Sequence, residues 1–126
     1  MNFDPAELIN RSARCPSVLL IDTSSALSGS IKELNEALKG FKDSFSTYPK
    51  AGAAMDLAIM TFDSEVILMT DFAPVVEFEP PVLIAKPERD ARLGAGLLWA
   101  IQLLDDREKQ YRENGLSYHR PWLLLV

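Results

Sequence analysis

The stretch that decides the fold, residues 17–29, reads SVLLIDTSSALSG. Residues 18–21 form a continuous apolar run, which is typical of a strand that is covered on both faces. Asp22 ends this run, and a loop of small hydroxylated residues follows before a helical pattern begins at Ile31. Ligand sites in open α/β sheets lie at the carboxyl ends of the strands. The stretch therefore predicts a central strand that carries a carboxylate to the edge of the sheet where a site is expected.

The composition is that of a soluble globular chain with one domain. The 126 residues are 48% hydrophobic and 25% charged, and this length suits a single domain. The net charge of −5 argues against nucleic acid or an anionic membrane as partner, because each needs a basic face. The only cysteine, Cys15, excludes an intrachain disulfide, and the start of the chain does not resemble a secretory signal. We expect one cytoplasmic domain, residues 1–126, with a polar N-terminal arm at residues 1–16.

The spacing of apolar residues predicts two helices and three further strands. Residues 30–46 and 90–112 have apolar side chains every three or four positions, as in amphipathic helices. The apolar runs 57–62 and 66–72 are close enough to form an antiparallel hairpin around Asp63 and Ser64, and residues 122–126 form the last strand. The order β-α-ββ-α-β, with right-handed crossovers, predicts an open α/β sheet in which strand 3 is antiparallel and the strand order is 3-2-1-4.

Several segments are predicted to carry no chemistry. Residues 73–87 include four prolines and predict an extended connection. From Asp105 to Glu113 the second helix is mostly charged, so its last turns are expected to project into water. The single histidine, His119, has no neighbours in the sequence that would complete a catalytic triad, and we predict no catalytic residue.

The order of elements, with an Asp-Thr-Ser loop after strand 1, resembles the von Willebrand factor type A (VWA) domain. The closer likeness is to the bacterial TerY/YegL-like branch, which is associated with tellurite-resistance and stress gene clusters. The matching pieces are VLLIDTSSALSGSIKELNEAL (18–38), AIMTFDSEV (58–66), FEPP (78–81) followed by RLGAGLLWAIQLL (92–104), and YHRPWLLLV (118–126). The resemblance implies a three-layer α/β/α fold and a non-enzymatic domain that binds protein partners.

The resemblance also implies where a metal-ion-dependent adhesion site would lie. In the family, a hard cation such as Mg²⁺ takes oxygen ligands from the loop after strand 1, from a Thr before the next long helix and from a later Asp. Asp22 and Ser24 match the first two ligands, whereas Ala26 and Ala91 stand where further oxygens are expected and the later Asp would follow Val126. Two acids of the second loop are potential replacements, Glu88 and Asp90. We therefore expect no cofactor, with Mg²⁺ at Asp22 and Ser24 as the alternative.

The last strand is apolar throughout, and its five residues are the predicted partner-binding surface: Trp122, Leu123, Leu124, Leu125 and Val126. A hydrophobic strand at the edge of a sheet is a template for pairing. Three interpretations stay open: a part of a longer VWA chain, a strand that pairs with another copy or another protein, or a minimal VWA domain. The working hypothesis is pairing, which builds one continuous sheet as a homodimer or a hetero-complex.

Two functional hypotheses follow from the sequence. The first is a non-enzymatic VWA-type protein–protein interaction module with a degenerate metal site, in a bacterial stress or tellurite-resistance-type system. The alternative is a Mg²⁺-dependent VWA binding or regulatory domain whose missing ligands come from a longer parent chain or from a partner.

Overall fold

The computed structural model describes residues 13–24, 31–84 and 91–126. Four strands and three helices occur in these ranges, in the order β1 (Cys15–Asp22), α1 (Ile31–Ser44), α2 (Pro49–Ala54), β2 (Met55–Phe62), β3 (Val66–Pro74), α3 (Leu93–Glu113) and β4 (Trp122–Leu125). Most of the predicted polar arm lies outside the described residues, as do Ala26, Glu88 and Asp90.

The four strands form one mixed sheet with the order β3-β2-β1-β4, which confirms the predicted order. β1 pairs in parallel with β2 on one side and with β4 on the other, and β2 pairs antiparallel with β3. β1 is therefore the central strand that its continuous apolar run predicts.

Two apolar clusters pack against the sheet. Val18 and Leu20 of β1 contribute to a cluster with Ala100 of α3. Ile21 of β1 contributes to a second cluster with Leu38 of α1. Because successive side chains of a strand point to opposite faces, the two clusters lie on opposite faces of the sheet. The helices α1 and α3 therefore flank the sheet, as the crossover rule predicts.

The ends of several elements differ from the prediction. β1 begins at Cys15, inside the predicted arm, because the chain already pairs at Arg14, which forms an isolated parallel bridge with Tyr118. Beyond the first predicted helix, where no element was predicted, residues 49–54 form the short helix α2 with Pro49 in its first turn. Proline is compatible with that position, since an N–H group there has no partner within the helix.

The prediction that the charged end of α3 projects into water is confirmed for six of residues 105–113, which are exposed, but it is wrong at Arg107 and Tyr111. Tyr111 is buried, and Arg107 forms an ion pair with Asp56 at the start of β2. A buried acid in β2 thus fixes the last turns of the helix.

No helix among the described residues has both the length and the apolar character needed to cross a membrane.

Candidate functional site

Two loops meet at the carboxyl edge of the sheet, where β1 and β2 end side by side. Asp22 pairs with Phe62 in the parallel register, so the residues that follow, Thr23 and Asp63, are neighbours. Thr23 Oγ1 donates a hydrogen bond of 2.8 Å to Asp63 Oδ2, and the Thr23 N–H donates to the Phe62 carbonyl at 3.0 Å. Four residues make up this carboxyl-edge cluster: Asp22, Thr23, Ser24 and Asp63.

The two predicted metal ligands, Asp22 and Ser24, lie together in this cluster. The Ser24 N–H donates to Asp22 Oδ1 at 2.8 Å, which is an Asx-turn. The Asp22 N–H donates to the Val126 carbonyl at 3.0 Å. The loop and the end of the last strand are therefore tied to each other through Asp22.

Asp63 belongs to this site although the sequence assigned it only to a turn. The connection from β2 to β3 is three residues long, 63–65, and not the expected two. The Asp63 N–H donates to the Glu65 carbonyl, and the Glu65 N–H donates back to Asp63 Oδ1, each at 3.0 Å. A signal was present in the sequence, since Asp63 follows an apolar strand directly, as Asp22 does.

The second predicted loop reaches the cluster through its backbone. Arg92 donates its N–H to the Asp63 carbonyl at 2.8 Å, which places the neighbouring residue, Ala91, close to the site. Ala91 is exposed and has no side-chain oxygen. The described part of this loop thus contributes no oxygen ligand from a side chain.

The described residues do not by themselves fit a Mg²⁺ ion. Mg²⁺ needs near-octahedral oxygen ligands, and one carboxylate oxygen of Asp22 and both of Asp63 already accept hydrogen bonds from the protein. Within ranges 13–24, 31–84 and 91–126, no group of three or more His, Cys, Asp or Glu side chains is arranged to hold a metal. The carboxyl-edge cluster fixes the loop after β1 to the turn after β2.

A cavity of about 160 Å³ opens beside Asp63. Its polar floor consists of Thr23, Thr61 and Asp63, and its walls are the apolar side chains Ile67, Met69, Val82, Leu83 and Ile84. Such a lining suits an apolar group better than an ion. The sequence did not indicate this cavity, because its walls come from β3 and from the proline-rich connection.

A second polar cluster lies at the opposite, amino edge of the sheet, around Asp56. Asp56 is 1% exposed, and its carboxylate accepts hydrogen bonds from Arg14, Arg107 and the Tyr111 hydroxyl. Arg107 Nη2 is 3.2 Å from Asp56 Oδ2, and Arg107 Nε is 3.4 Å from the Tyr111 oxygen. The guanidinium carbon also lies 5.3 Å from the centre of the Phe72 ring. These contacts join β2, β3, α3 and the residue that precedes β1.

The protonation states in the amino-edge cluster follow from burial and from Asp56. Burial raises the pKa of the Tyr111 hydroxyl, and the hydrogen bond to Asp56 raises it further, so the phenol stays neutral. Burial opposes the charge on Arg107, but the hydrogen bond to Tyr111 and the attraction of Asp56 outweigh it and leave the pKa raised. Two permanent cations and a neutral phenol thus surround one carboxylate. This set holds several elements of the fold together.

The predicted partner-binding residues lie on the outermost strand of the described sheet. Trp122 is 59% exposed, Leu125 54% and Val126 49%, while Leu123 packs partly against the α3 cluster. Val126 continues the pairing with β1 beyond the end of the strand, since its N–H donates to the Leu20 carbonyl at 2.9 Å. Across the described ranges, β4 has a strand beside it on its β1 side alone.

No family model matches the chain, and no curated protein matches it either. The resemblance to VWA domains remains a prediction from the sequence.

Proposed function

We propose that this chain is a VWA-type protein–protein interaction module, without enzymatic activity, that self-associates through β4. The observation that carries the proposal is the exposure of the last strand. Trp122, Leu125 and Val126 are each about half exposed or more, and no residue of 122–126 is charged. Natural proteins protect edge strands with charged residues, prolines or bulges, and such a strand without protection pairs readily with another.

The VWA assignment is supported by the sheet and by the position of the carboxyl-edge cluster. The strand order β3-β2-β1-β4, with helices on both sides, is the order that the resemblance requires. Asp22 and Ser24 stand at the carboxyl end of the central strand, where the family places its adhesion site. We therefore propose a three-layer α/β/α VWA-like domain, cytoplasmic, in a bacterial stress or tellurite-resistance-type system.

The proposed metal site is degenerate. Ala26 and Ala91 replace oxygen-bearing residues of the family, and the carboxylates of the cluster accept hydrogen bonds from protein donors. A carboxylate and a hydroxyl alone are poor competitors for the water shell of Mg²⁺, which dehydrates reluctantly. Partner binding in this proposal does not pass through a cation.

Light scattering coupled to size exclusion at micromolar concentration tests the self-association. We expect the native chain to be a dimer and Leu125→Lys to be a monomer, because a buried lysine would cost more than the pairing yields. Val82→Lys is the matched control, since Val82 is also largely exposed but lines a cavity beside β3, at the other edge of the sheet. A monomeric native protein would rule out the proposal.

A second candidate is a Mg²⁺-dependent VWA binding or regulatory domain completed by ligands from a longer parent chain or a partner. The observation that favours it is the meeting of Asp22, Ser24 and Asp63 at one edge. Titration calorimetry with Mg²⁺ or Mn²⁺ separates the two candidates. Binding that is lost in Asp22→Asn and retained in Asp43→Asn, a change on an exposed helix face, supports the second. The absence of binding supports the degenerate site.

A further inference from the structure

Among the described residues, β4 has no strand on the side away from β1, and its backbone N–H and carbonyl groups alternate between the two sides. Val126 uses both its N–H and its carbonyl towards β1, with Leu20 and Asp22 as partners. In a parallel ladder, every second residue of a strand directs its backbone N–H and carbonyl to the neighbouring strand on one side. The residues between them direct theirs to the opposite side. Leu124 therefore faces β1 as Val126 does, whereas Leu123 and Leu125 present their N–H and carbonyl groups to the open side.

We infer that two copies of the chain pair through β4 in antiparallel orientation, with a two-fold axis at Leu124. In this register Leu123 of each copy lies opposite Leu125 of the other, and each such pair exchanges both of its backbone hydrogen bonds, about four in all. The inference rests on the proposed self-association and adds to it the direction and the register of pairing.

The side chains on one face of β4 suit this register. Leu124 meets its own copy as a non-hydrogen-bonded pair, in which side chains approach most closely. Trp122 lies opposite Val126 of the second copy. All three side chains are apolar and well exposed in the single chain, so the pairing covers one continuous apolar strip.

On the other face of β4, the neighbouring flank of α3 offers one exposed apolar side chain, Ile101. Ile101 precedes Arg112 by eleven residues, just over three helical turns, so both side chains lie on the same flank of the helix. Arg112 Nη1 donates to the Tyr118 hydroxyl at 2.7 Å, and Tyr118 leads into β4. The flank with Ile101 therefore lies on the β4 side of the helix, and it also carries the charged residues Asp105 and Glu108 that attract Arg112. Ile101 is 50% exposed. A strand added beside β4 would thus have one apolar side chain of α3, Ile101, close to it on this face.

Charge favours the antiparallel direction and a second copy as the occupant. Arg120, which is exposed, lies just before β4, and Asp22 lies beside its far end through the bond to Val126. Antiparallel pairing places Arg120 of each copy at the level of Asp22 of the other, with β4 between the two residues. Parallel pairing would instead bring the two arginines together, which is unfavourable.

Site-specific cross-linking tests the register in a Cys15→Ser background, which removes the only native cysteine. Leu124→Cys is expected to form a covalent dimer on mild oxidation, because Cα atoms of a non-hydrogen-bonded pair lie about 4.5 Å apart. Leu125→Cys is the control. Leu125 is more exposed than Leu124, but the two copies of residue 125 are offset by two positions along the paired strands. Their Cα atoms are therefore farther apart than the distance of about 7 Å that a disulfide can span.

Each outcome has a distinct meaning. Cross-linking of Leu124→Cys alone supports the register. A dimer in light scattering that cross-links equally at Leu125, or at neither position, overturns the register and leaves the proposed self-association standing. A monomer overturns both. If Leu124→Cys does not fold, mixed Leu123→Cys and Leu125→Cys chains replace it. They should cross-link together and not separately, and any other pattern contradicts the register.

Discussion

Arg107 and Asp56 are 51 positions apart in the sequence, yet Nη2 of the arginine lies 3.2 Å from Oδ2 of the acid. Asp56 is almost fully buried and is also bound by Arg14 and Tyr111. The amino-edge cluster thus fixes the charged half of α3 to the sheet, while Ala100 packs the apolar half against it. A buried charge is tolerable only while its partners are present, and this makes the cluster a sensitive point of the fold.

We expect Asp56→Ala to lower the free energy of unfolding by about 3–5 kcal/mol, because two guanidinium groups lose their buried counter-charge. Urea denaturation followed by circular dichroism measures the change. Asp71→Ala is the control, since Asp71 is exposed on β3 and accepts a hydrogen bond from the next backbone N–H. Its effect should stay within about 0.5 kcal/mol. Equal losses in the two variants would contradict the structural role of Asp56.

Tyr111→Phe should weaken the pH dependence of stability above about pH 10, where an unfolded tyrosine ionises. The pKa of Tyr111 is raised in the folded chain by burial and by Asp56, so the folded state keeps a proton that the unfolded state loses. Its contribution is complete below about pH 10 and decreases as the pH rises, by at most about 1.4 kcal/mol per pH unit. Urea midpoints of both proteins between pH 8 and 11 give the difference. Parallel curves would refute this assignment.

Two glycine-to-alanine changes should act in opposite directions. A Cβ atom at Gly52 in α2 would lie 2.6 Å from Val76 Cγ1 and 3.0 Å from Phe45 Cβ, so Gly52→Ala is expected to destabilise by about 1–3 kcal/mol. At Gly40 in α1 none of the described atoms comes within 4 Å, and Gly40→Ala should stabilise by about 0.5–1 kcal/mol through helix propensity. Thermal unfolding of both variants is the measurement. A stabilising Gly52→Ala would show that the space around α2 is wrongly described.

Thr23→Val keeps the shape of the side chain and removes the hydroxyl that donates to Asp63 at 2.8 Å. We expect a loss of about 1–3 kcal/mol in unfolding free energy, since a buried carboxylate loses one donor. Thr23→Ser retains the donor and should recover most of the loss, measured by urea denaturation. A Ser variant as unstable as the Val variant would mean that the methyl group, and not the hydrogen bond, matters at this position.

The sheet could be predicted because its information is local. The continuous apolar runs at residues 18–21 and 122–126 indicate covered strands, and the short gap between residues 62 and 66 forces an antiparallel pair. The crossover rule then leaves one order, which the structure has. Asp22 was predicted to lie at a site for a similar reason, since it ends the central strand, whereas the resemblance to VWA domains added Ser24.

The roles of Asp63, Arg107 and Tyr111 were missed because their partners are distant in the sequence. Asp63 takes its hydroxyl donor from Thr23, 40 positions earlier, and Tyr111 reaches Asp56 across 55 positions. A charged run such as DDREKQYRE has the same composition whether it is solvated or holds one buried acid. Composition therefore favoured the solvated interpretation, which was wrong at two of its residues.

The sequence by itself determined the strands, the two long helices and the order of the sheet, because apolar periodicity and the handedness of crossovers act over short stretches of chain. Only the tertiary structure decided which polar residues are paired. It brings Thr23 to Asp63 at one edge of the sheet, and Arg14, Arg107 and Tyr111 to Asp56 at the other. The physical reason is that a buried carboxylate must find donors wherever the packed chain supplies them, and sequence spacing does not record that proximity.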